Sequence, residues 1–151
     1  MLYGFKYDSP VGQLSLIKEN EKLISISFLD HSLPGPQSAK GKNFKEIIRQ
    51  LNEYFFEGRR KFEIEYDLCS SVFGSMVYAE MLNIPYGESI TYSDLASKVN
   101  KPKAYRAVGS ACGRNPLPII IPCHRVKSKS GLGGFTGGLH IKRFLLQLES
   151  N

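Results

Sequence analysis

Apolar and polar residues alternate with period two in three short segments at the start of the chain. These are Leu2 to Tyr7, Gln13 to Lys18 with Leu14 and Leu16 on one side, and Leu23 to Leu29. Turn chemistry separates them, first Ser9-Pro-Val-Gly12 and then Glu19-Asn20-Glu21. The pattern predicts a three-stranded antiparallel meander with one covered face. His31 to Lys42 is rich in Pro, Gly, Ser and Lys and reads as a loop. The period then changes: Phe44, Ile47, Ile48, Leu51, Tyr54 and Phe55 recur at helical spacing up to Gly58. Arg60 to Leu68 alternates again through Phe62, Ile64 and Tyr66, as a return to the sheet edge would. Glu46, Glu53 and Glu57 fit a solvated helix face, so this half reads as scaffold.

The pattern shifts near Cys69-Ser-Ser71, which divides the chain into expected domains 1–68 and 69–151. Val72 to Leu82 reads as a helix with Phe73, Met76, Val77, Ala79, Met81 and Leu82 as its apolar residues, stopping at the Ile84-Pro-Tyr-Gly87 turn. Thr91 and Asp94 have the spacing of a capping box ahead of a short helix carrying Leu95, Ala96 and Val99. Asn100-Lys101-Pro102 ends it, and Pro102 is suited to the first position of a following helix that runs to about Cys112. Two helices joined by a turn make a helix-turn-helix. The second one offers Gly109, Ser110 and Gly113 as its exposed residues, with Arg106 as the one long side chain. Small residues and a single arginine suit the DNA minor groove better than the major groove. Close helix packing beside a solvated Arg106 is the alternative.

The chemistry concentrates in Ile119-Ile-Ile-Pro-Cys-His-Arg-Val126. Three β-branched residues read as buried strand or core, and Pro122 stops the run because it cannot donate to a ladder. A thiol, an imidazole and a guanidinium follow at the end of this apolar wall. An ordinary cysteine of pKa about 8.5 is only about 3 % thiolate at neutral pH, so a nucleophilic Cys123 needs a base or cation beside it. His124 and Arg125 are adjacent, but neighbours in a strand face opposite ways, which leaves a structural buried cysteine open.

Composition narrows the class. With 151 residues and 42 % apolar content, the chain suffices for one ordinary domain or two small ones. No apolar run approaches the ~18 residues of a membrane span, and no charged-then-apolar leader is visible. Cys69, Cys112 and Cys123 are an odd number without metal-like spacing. They read as free thiols in a reducing cytoplasm. A net charge of +6 is compatible with a polyanionic partner.

Tyr92, Arg106-Ala-Val-Gly109, Asn115-Pro116, Ile121-Pro-Cys-His-Arg-Val126, Gly137-Gly138-Leu139 and Glu149 occur in one order that resembles the O6-alkylguanine-DNA alkyltransferases. The likeness is most specific from about Tyr86 to Glu149. It implies a ribonuclease-H-like α/β domain (three-stranded antiparallel sheet plus helix) followed by a mostly α, winged helix-turn-helix domain. It further implies repair of double-stranded DNA by direct reversal: a flipped O6-alkylguanine, with O4-alkylthymine as a further substrate, gives its alkyl group irreversibly to Cys123. By the same resemblance His124 takes the thiol proton through a water, Glu149 orients His124, and Tyr92 and Lys142 lie near N3 of the base. Asn115 matches the hinge residue. Arg106, Tyr92, Gly109, Ser110, Gly113 and Arg125 match DNA contacts, with Arg106 filling the stack where the base has left. Val126, Phe135 and Thr136 match the substrate pocket, Thr136 as a donor to O6, with Gly131 to Gly138 as its wall. If the set lowered the Cys123 pKa by about two units, roughly three quarters would be thiolate.

Phe135 stands where many members have tyrosine, which removes a hydroxyl. Some members hold a structural zinc in the first domain; this half offers His31 and little else, so no metal and no cofactor is expected. A monomer in the cytoplasm is expected, with DNA as its partner and no membrane. Two other classes differ in their residues. A non-enzymatic damage sensor would lack the acceptor cysteine. A thiol hydrolase would leave Arg106 and the glycine-lined helix without a use.

Overall fold

The computed structural model describes residues 1–28, 33–34 and 44–150. The expected loop His31 to Lys42 lies outside these apart from Leu33 and Pro34, and so do His31 and Leu29. The chain divides into two compact units, Met1–Cys69 and Ser70–Asn151, so Cys69 closes the first.

In the first unit, β1 (Leu2–Ser9), β2 (Gly12–Glu19) and β3 (Lys22–Ser27) form one antiparallel sheet in that order. Gly12 (φ 108°) closes the first hairpin and Asn20 (φ 54°) the second, both in backbone regions that favour such residues. Helix α1 (Lys45–Glu57) covers one face and ends at Gly58 (φ 75°). Tyr7, Leu14, Leu16, Leu23 and Ile26 of the sheet and Phe44, Ile47, Leu51, Tyr54 and Phe55 make the core. Glu46 and Glu53 pair with Arg49 on the solvated side. Arg60 to Leu68 departs from the period-two expectation. It forms no strand and touches the sheet through one parallel bridge, Leu23 to Tyr66. The buried Gln50 amide takes both backbone groups of Glu63, at 2.8 and 3.0 Å, while Leu23 N–H donates to Glu65 O and Asp67 N–H to Leu23 O, each at 3.0 Å, so helix and sheet share the segment and no strand forms.

The second unit contains α2 (Val72–Met81), β4 (Ile90–Thr91), α3 (Tyr92–Lys98), α4 (Tyr105–Gly113), a 3-10 turn (Cys123–Arg125), β5 (Val126–Lys127) and α5 (Leu139–Glu149). β4 and β5 pair in parallel. Helix α2 buries Val77, Tyr78 and Met81 and leaves Met76, Ala79 and Leu82 exposed; Tyr78 is counted inside because its hydroxyl donates to Ala111 O at 2.8 Å. Helix α3 begins with the expected capping box: Asp94 N–H to Thr91 Oγ1 and Thr91 N–H to Asp94 Oδ2, both 3.0 Å. It ends at Asn100 (φ 62°), where Lys101 N–H reaches Ala96 O at 3.0 Å and Asn100 N–H reaches Ser97 O at 3.0 Å. Pro102 does not start a helix. Ala104 N–H bonds to Lys101 O at 2.8 Å, a tight turn with Pro102 at its favoured second position, and α4 starts at Tyr105. Thr91→Ala should lower the stability of this unit by about 1 kcal/mol, read from urea midpoints. An unchanged midpoint would mean that packing alone holds α3 in place.

Candidate active site

Ile119, Ile120 and Ile121 are buried as expected but form no strand. Pro116, Pro118 and Pro122 remove the ladder donors around them, and the chain folds into a tight turn closed by Ile121 N–H to Leu117 O at 2.8 Å. Ile119 sits at φ 78°, a left-handed conformation that costs a β-branched residue about 1–2 kcal/mol. Its side chain is almost fully buried, which offsets the strain. Asn115 staples the turn: Nδ2 donates to Ile121 O at 2.8 Å, and Oδ1 accepts from Leu117 N–H at 3.0 Å. The chain leaves the turn at Pro122 and winds once as the 3-10 segment that carries Cys123, His124 and Arg125. In that winding, adjacent side chains are not forced to opposite faces as they would be in a strand.

His124 and Arg125 converge on the last residue of α5. His124 Nε2 lies 2.6 Å from Glu149 Oε2, with both side chains fully buried. Arg125 Nε donates to Glu149 Oε1 at 2.7 Å and Nη2 to Oε2 at 3.1 Å. An ionised carboxylate only accepts, so the hydrogen of the His124 ring is on Nε2 and the lone pair on Nδ1. Nδ1 is buried and makes no hydrogen bond to a described protein group. Burial pushes His124 below the ordinary histidine range, against the pull of Glu149, and so keeps it neutral. Burial likewise pushes the Cys123 thiol up; a hydrogen bond from Asn115 and the charge of Lys142 oppose it. The resting pair is therefore a thiol beside a neutral imidazole, not the thiolate that a two-unit lowering would give.

Cys123 opens on a cavity of about 460 Å³, within the usual ~300–1,000 Å³ of ligand sites. Gly109, Cys112 and Gly113 of α4 form one wall, Gly134, Phe135 and Thr136 another, and Tyr92 stands between. The Tyr92 hydroxyl accepts from Gly134 N–H at 3.3 Å, and burial raises its pKa, so it holds its proton. Lys142, fully buried, donates to Val126 O at 2.6 Å and Gly134 O at 3.1 Å, tying the glycine loop to β5.

A family model described as the 6-O-methylguanine DNA methyltransferase DNA-binding domain matches residues 72–151, and one described as the ribonuclease-like domain matches residues 1–68. The chain belongs to this family. The Mycobacterium leprae methylated-DNA–protein-cysteine methyltransferase is 41% identical, covering 100% of this chain and 94% of its own. That of Methanosarcina barkeri is 40% identical, covering 95% and 94%. The crystal structure of the Mycobacterium tuberculosis O6-methylguanine methyltransferase matches with a TM-score of 0.88 at 38% identity, covering 99% of this chain and 93% of that one. The same organism's protein in complex with DNA matches at 0.87 and 40% identity, covering 96% and 91%. Membership brings the class of chemistry with it: an alkyl-transferring, DNA-binding repair enzyme.

Measured against the methyltransferase resemblance, the fold brings together Cys123, His124, Glu149, Asn115, Tyr92, Lys142, Val126, Phe135 and Thr136 around one cavity and the turn behind it. Arg106 and Ser110 are exposed on α4 outside it, with Gly109 and Gly113 at its edge. Two expectations need correction. Arg125 is not on the DNA surface: it is buried, and its guanidinium is taken by Glu149 and Ile84 O. Thr136 Oγ1 donates to Gly113 O at 2.8 Å, so its proton is engaged with α4 rather than offered to a base oxygen. Lys142, which the resemblance puts near N3 of the base, donates to the backbone carbonyls of Val126 and Gly134 beside the cavity. Cys112, a free thiol at the end of α4, also lines the cavity, with its Sγ 3.8 Å from Met81 Sδ. Its spacing of i+3 from Gly109 on the face of α4 that borders Cys123 was the available signal. Among the described residues no group of His, Cys, Asp or Glu is placed to hold a metal ion, and no helix is long and apolar enough to cross a membrane.

Gly133 precedes the cavity-lining Gly134 and packs against Tyr92. It sits at φ 75°, and a Cβ there would come within 2.5 Å of the Tyr92 hydroxyl. Gly133→Ala should displace Tyr92 and slow alkyl transfer about 10²-fold, because small misplacements of reacting groups carry costs of that size. The check is single-turnover kinetics on O6-methylguanine duplex beside Gly134→Ala, whose Cβ would meet nothing within 4 Å. Equal effects at both positions would refute the clash.

Proposed function

We propose that this chain binds the minor groove of duplex DNA, rotates an O6-alkylguanine out of the stack and moves its alkyl group to Cys123. One observation carries the reading: the Cys123 thiol opens into a base-sized cavity while the histidine next to it is fixed by a buried carboxylate with Nδ1 unbonded. In the reaction the Sγ–C bond forms as the O6–C bond breaks. The thiol proton goes through a water to His124 Nδ1, the leaving guanine takes a proton at N3 from Tyr92, and the Tyr92 phenolate then takes back the proton that His124 received, so both side chains end neutral. The neutral resting thiol fits such a step, since the proton leaves only as the base arrives. Lys142 holds the loop and β5 against Tyr92, and its ammonium, with its centre 6.0 Å from the Tyr92 ring centroid, favours electron density on that ring. O4-alkylthymine presents the same kind of exocyclic oxygen and is a second substrate. The thioether formed is not cleaved by water under mild conditions, so each chain reacts once.

DNA handling rests on α4. Arg106 is exposed, and Tyr105, Ala107, Ser110 and Gly113 beside it are exposed too, mostly small. Arg106 enters the stack in place of the flipped base, which offsets part of the few kcal/mol that extrusion costs. Arg106→Ala should therefore slow repair of duplex far more than transfer from free O6-benzylguanine. A parallel loss on both would assign Arg106 to the pocket instead. The reading as a whole is tested by the mass of the protein after incubation with O6-methylguanine duplex. A gain of one methyl per chain is expected; a bound but unmodified protein would make it a damage sensor.

A further inference from the structure

Arg125 is a long cation with no solvent-facing use. Its three polar nitrogens are all engaged: Nε and Nη2 on the two oxygens of Glu149, and Nη1 on Ile84 O at 2.7 Å. The Tyr86 ring lies 5.7 Å from its guanidinium carbon. A guanidinium fork meeting a carboxylate edge-on fixes the plane of that carboxylate, which a lysine ammonium, a point charge, does not. Fixing is needed here because Glu149 is the last residue of α5. A carboxylate there faces the negative end of the helix dipole and would otherwise be disfavoured.

We infer that Arg125 is a positioning residue for alkyl transfer: its fork sets the plane of Glu149, which in turn holds the His124 ring with Nε2 donating and Nδ1 turned to the base role. The inference rests on the repair reading, since it needs His124 to receive the Cys123 proton. Arg125 does not touch the reacting atoms and acts only through Glu149.

The charges around His124 make the arrangement testable. Glu149 and Lys142 act on it from α5, and Arg125 from its own turn, in which Cys123 is the preceding residue. Behind Arg125 lie Ile84 O and the Tyr86 ring. With Arg125 in place the Glu149 charge is balanced, and the buried imidazole stays neutral. Without it, an uncompensated carboxylate 2.6 Å away stabilises imidazolium. A protonated His124 cannot act as base, so the rate falls on the acid side as His124 gains its proton. Removing Arg125 raises the pH at which that happens.

The experiment is single-turnover methyl transfer from O6-methylguanine duplex, across the acid and neutral range, for wild type, Arg125→Met and Arg125→Lys, with duplex affinity measured for each. Arg125→Met is expected to react about 10²-fold more slowly at neutral pH, with its acid limb moved up by about one pH unit. Arg125→Lys keeps the charge and loses the fork; it should hold the wild-type limb, react about tenfold more slowly and bind duplex unchanged. An Arg125→Met limb at the wild-type position overturns the proposal. So does an Arg125→Lys protein with wild-type rate, whether or not its DNA binding is weakened. If Arg125→Met does not fold, the Lys variant decides by the same two readouts. A wild-type chain that takes up no methyl brings down the repair reading itself, and is told apart from failure at Arg125 by that control.

Discussion

Cys123→Ser is expected to abolish alkyl transfer while leaving duplex binding intact. A serine hydroxyl is far harder to ionise than a thiol, and the neutral, buried His124 is too weak a base to make up the difference. Sγ and Oγ are close in size and the side chain is buried at the cavity floor, so the exposed side of α4 is untouched. Cys112→Ser should retain transfer although Cys112 lines the same cavity. Burial holds that thiol at about 12, and its sulfur is packed against Met81. Cys69, in the other unit, should be equally dispensable. Labelled substrate followed by peptide mapping decides the matter. Label on Cys112, or more than one equivalent per chain, would overturn the assignment of Cys123 as sole acceptor.

The second large effect is expected from Glu149→Gln. Glutamine brings an amide NH2 to a position where both neighbours, His124 and Arg125, already donate. The ring of His124 is then driven to the tautomer with hydrogen on Nδ1, and the base for Cys123 is lost. Transfer should slow by about 10²–10⁴-fold, the range of a general-base function, with Cys123 still the labelled residue. Stability should suffer as well. Arg125 is left as a buried cation without its carboxylate, and breaking such a pair costs about 3–5 kcal/mol. For a unit of this size that is a fall in melting temperature of more than about 10 °C. Transfer at near wild-type rate in a folded Glu149→Gln protein would remove His124 from the proton path.

The elements of this fold follow from local rules that a sequence displays. Period-two alternation yielded β1 to β3, helical spacing yielded α1, and Thr91 with Asp94 marked the start of α3 in the residues themselves. The order of the motif residues from Tyr92 to Glu149 was enough for the family, and with it Cys123 as the residue to watch. Where local signals failed, the cause was a competing partner or a turn that took the backbone groups a strand or helix would have used. Arg60 to Leu68 had the alternation of a strand, but Gln50 of α1 took the backbone groups of Glu63 and left only the bridge at Tyr66 to the sheet. Ile119 to Ile121 had the composition of a strand, but prolines on both sides and the Asn115 staple made it a turn. Pro102 suited a helix start, yet also the turn that α3 and α4 require.

The site shows the same division. Its residue types, a thiol with an imidazole and a distant acid, were legible because nucleophilic chemistry needs those groups. Which groups are present, and in what order, is a property of the chain. Which groups face each other was decided by tertiary structure: Arg125 looks like a DNA contact until α5 places Glu149 against it, and Thr136 looks like a donor to the base until the glycine loop reaches Gly113. The protonation states belong there too. A cysteine beside a histidine reads as thiolate-forming in a sequence, whereas burial keeps both neutral here, because the cost of a charge depends on the surroundings that the fold supplies.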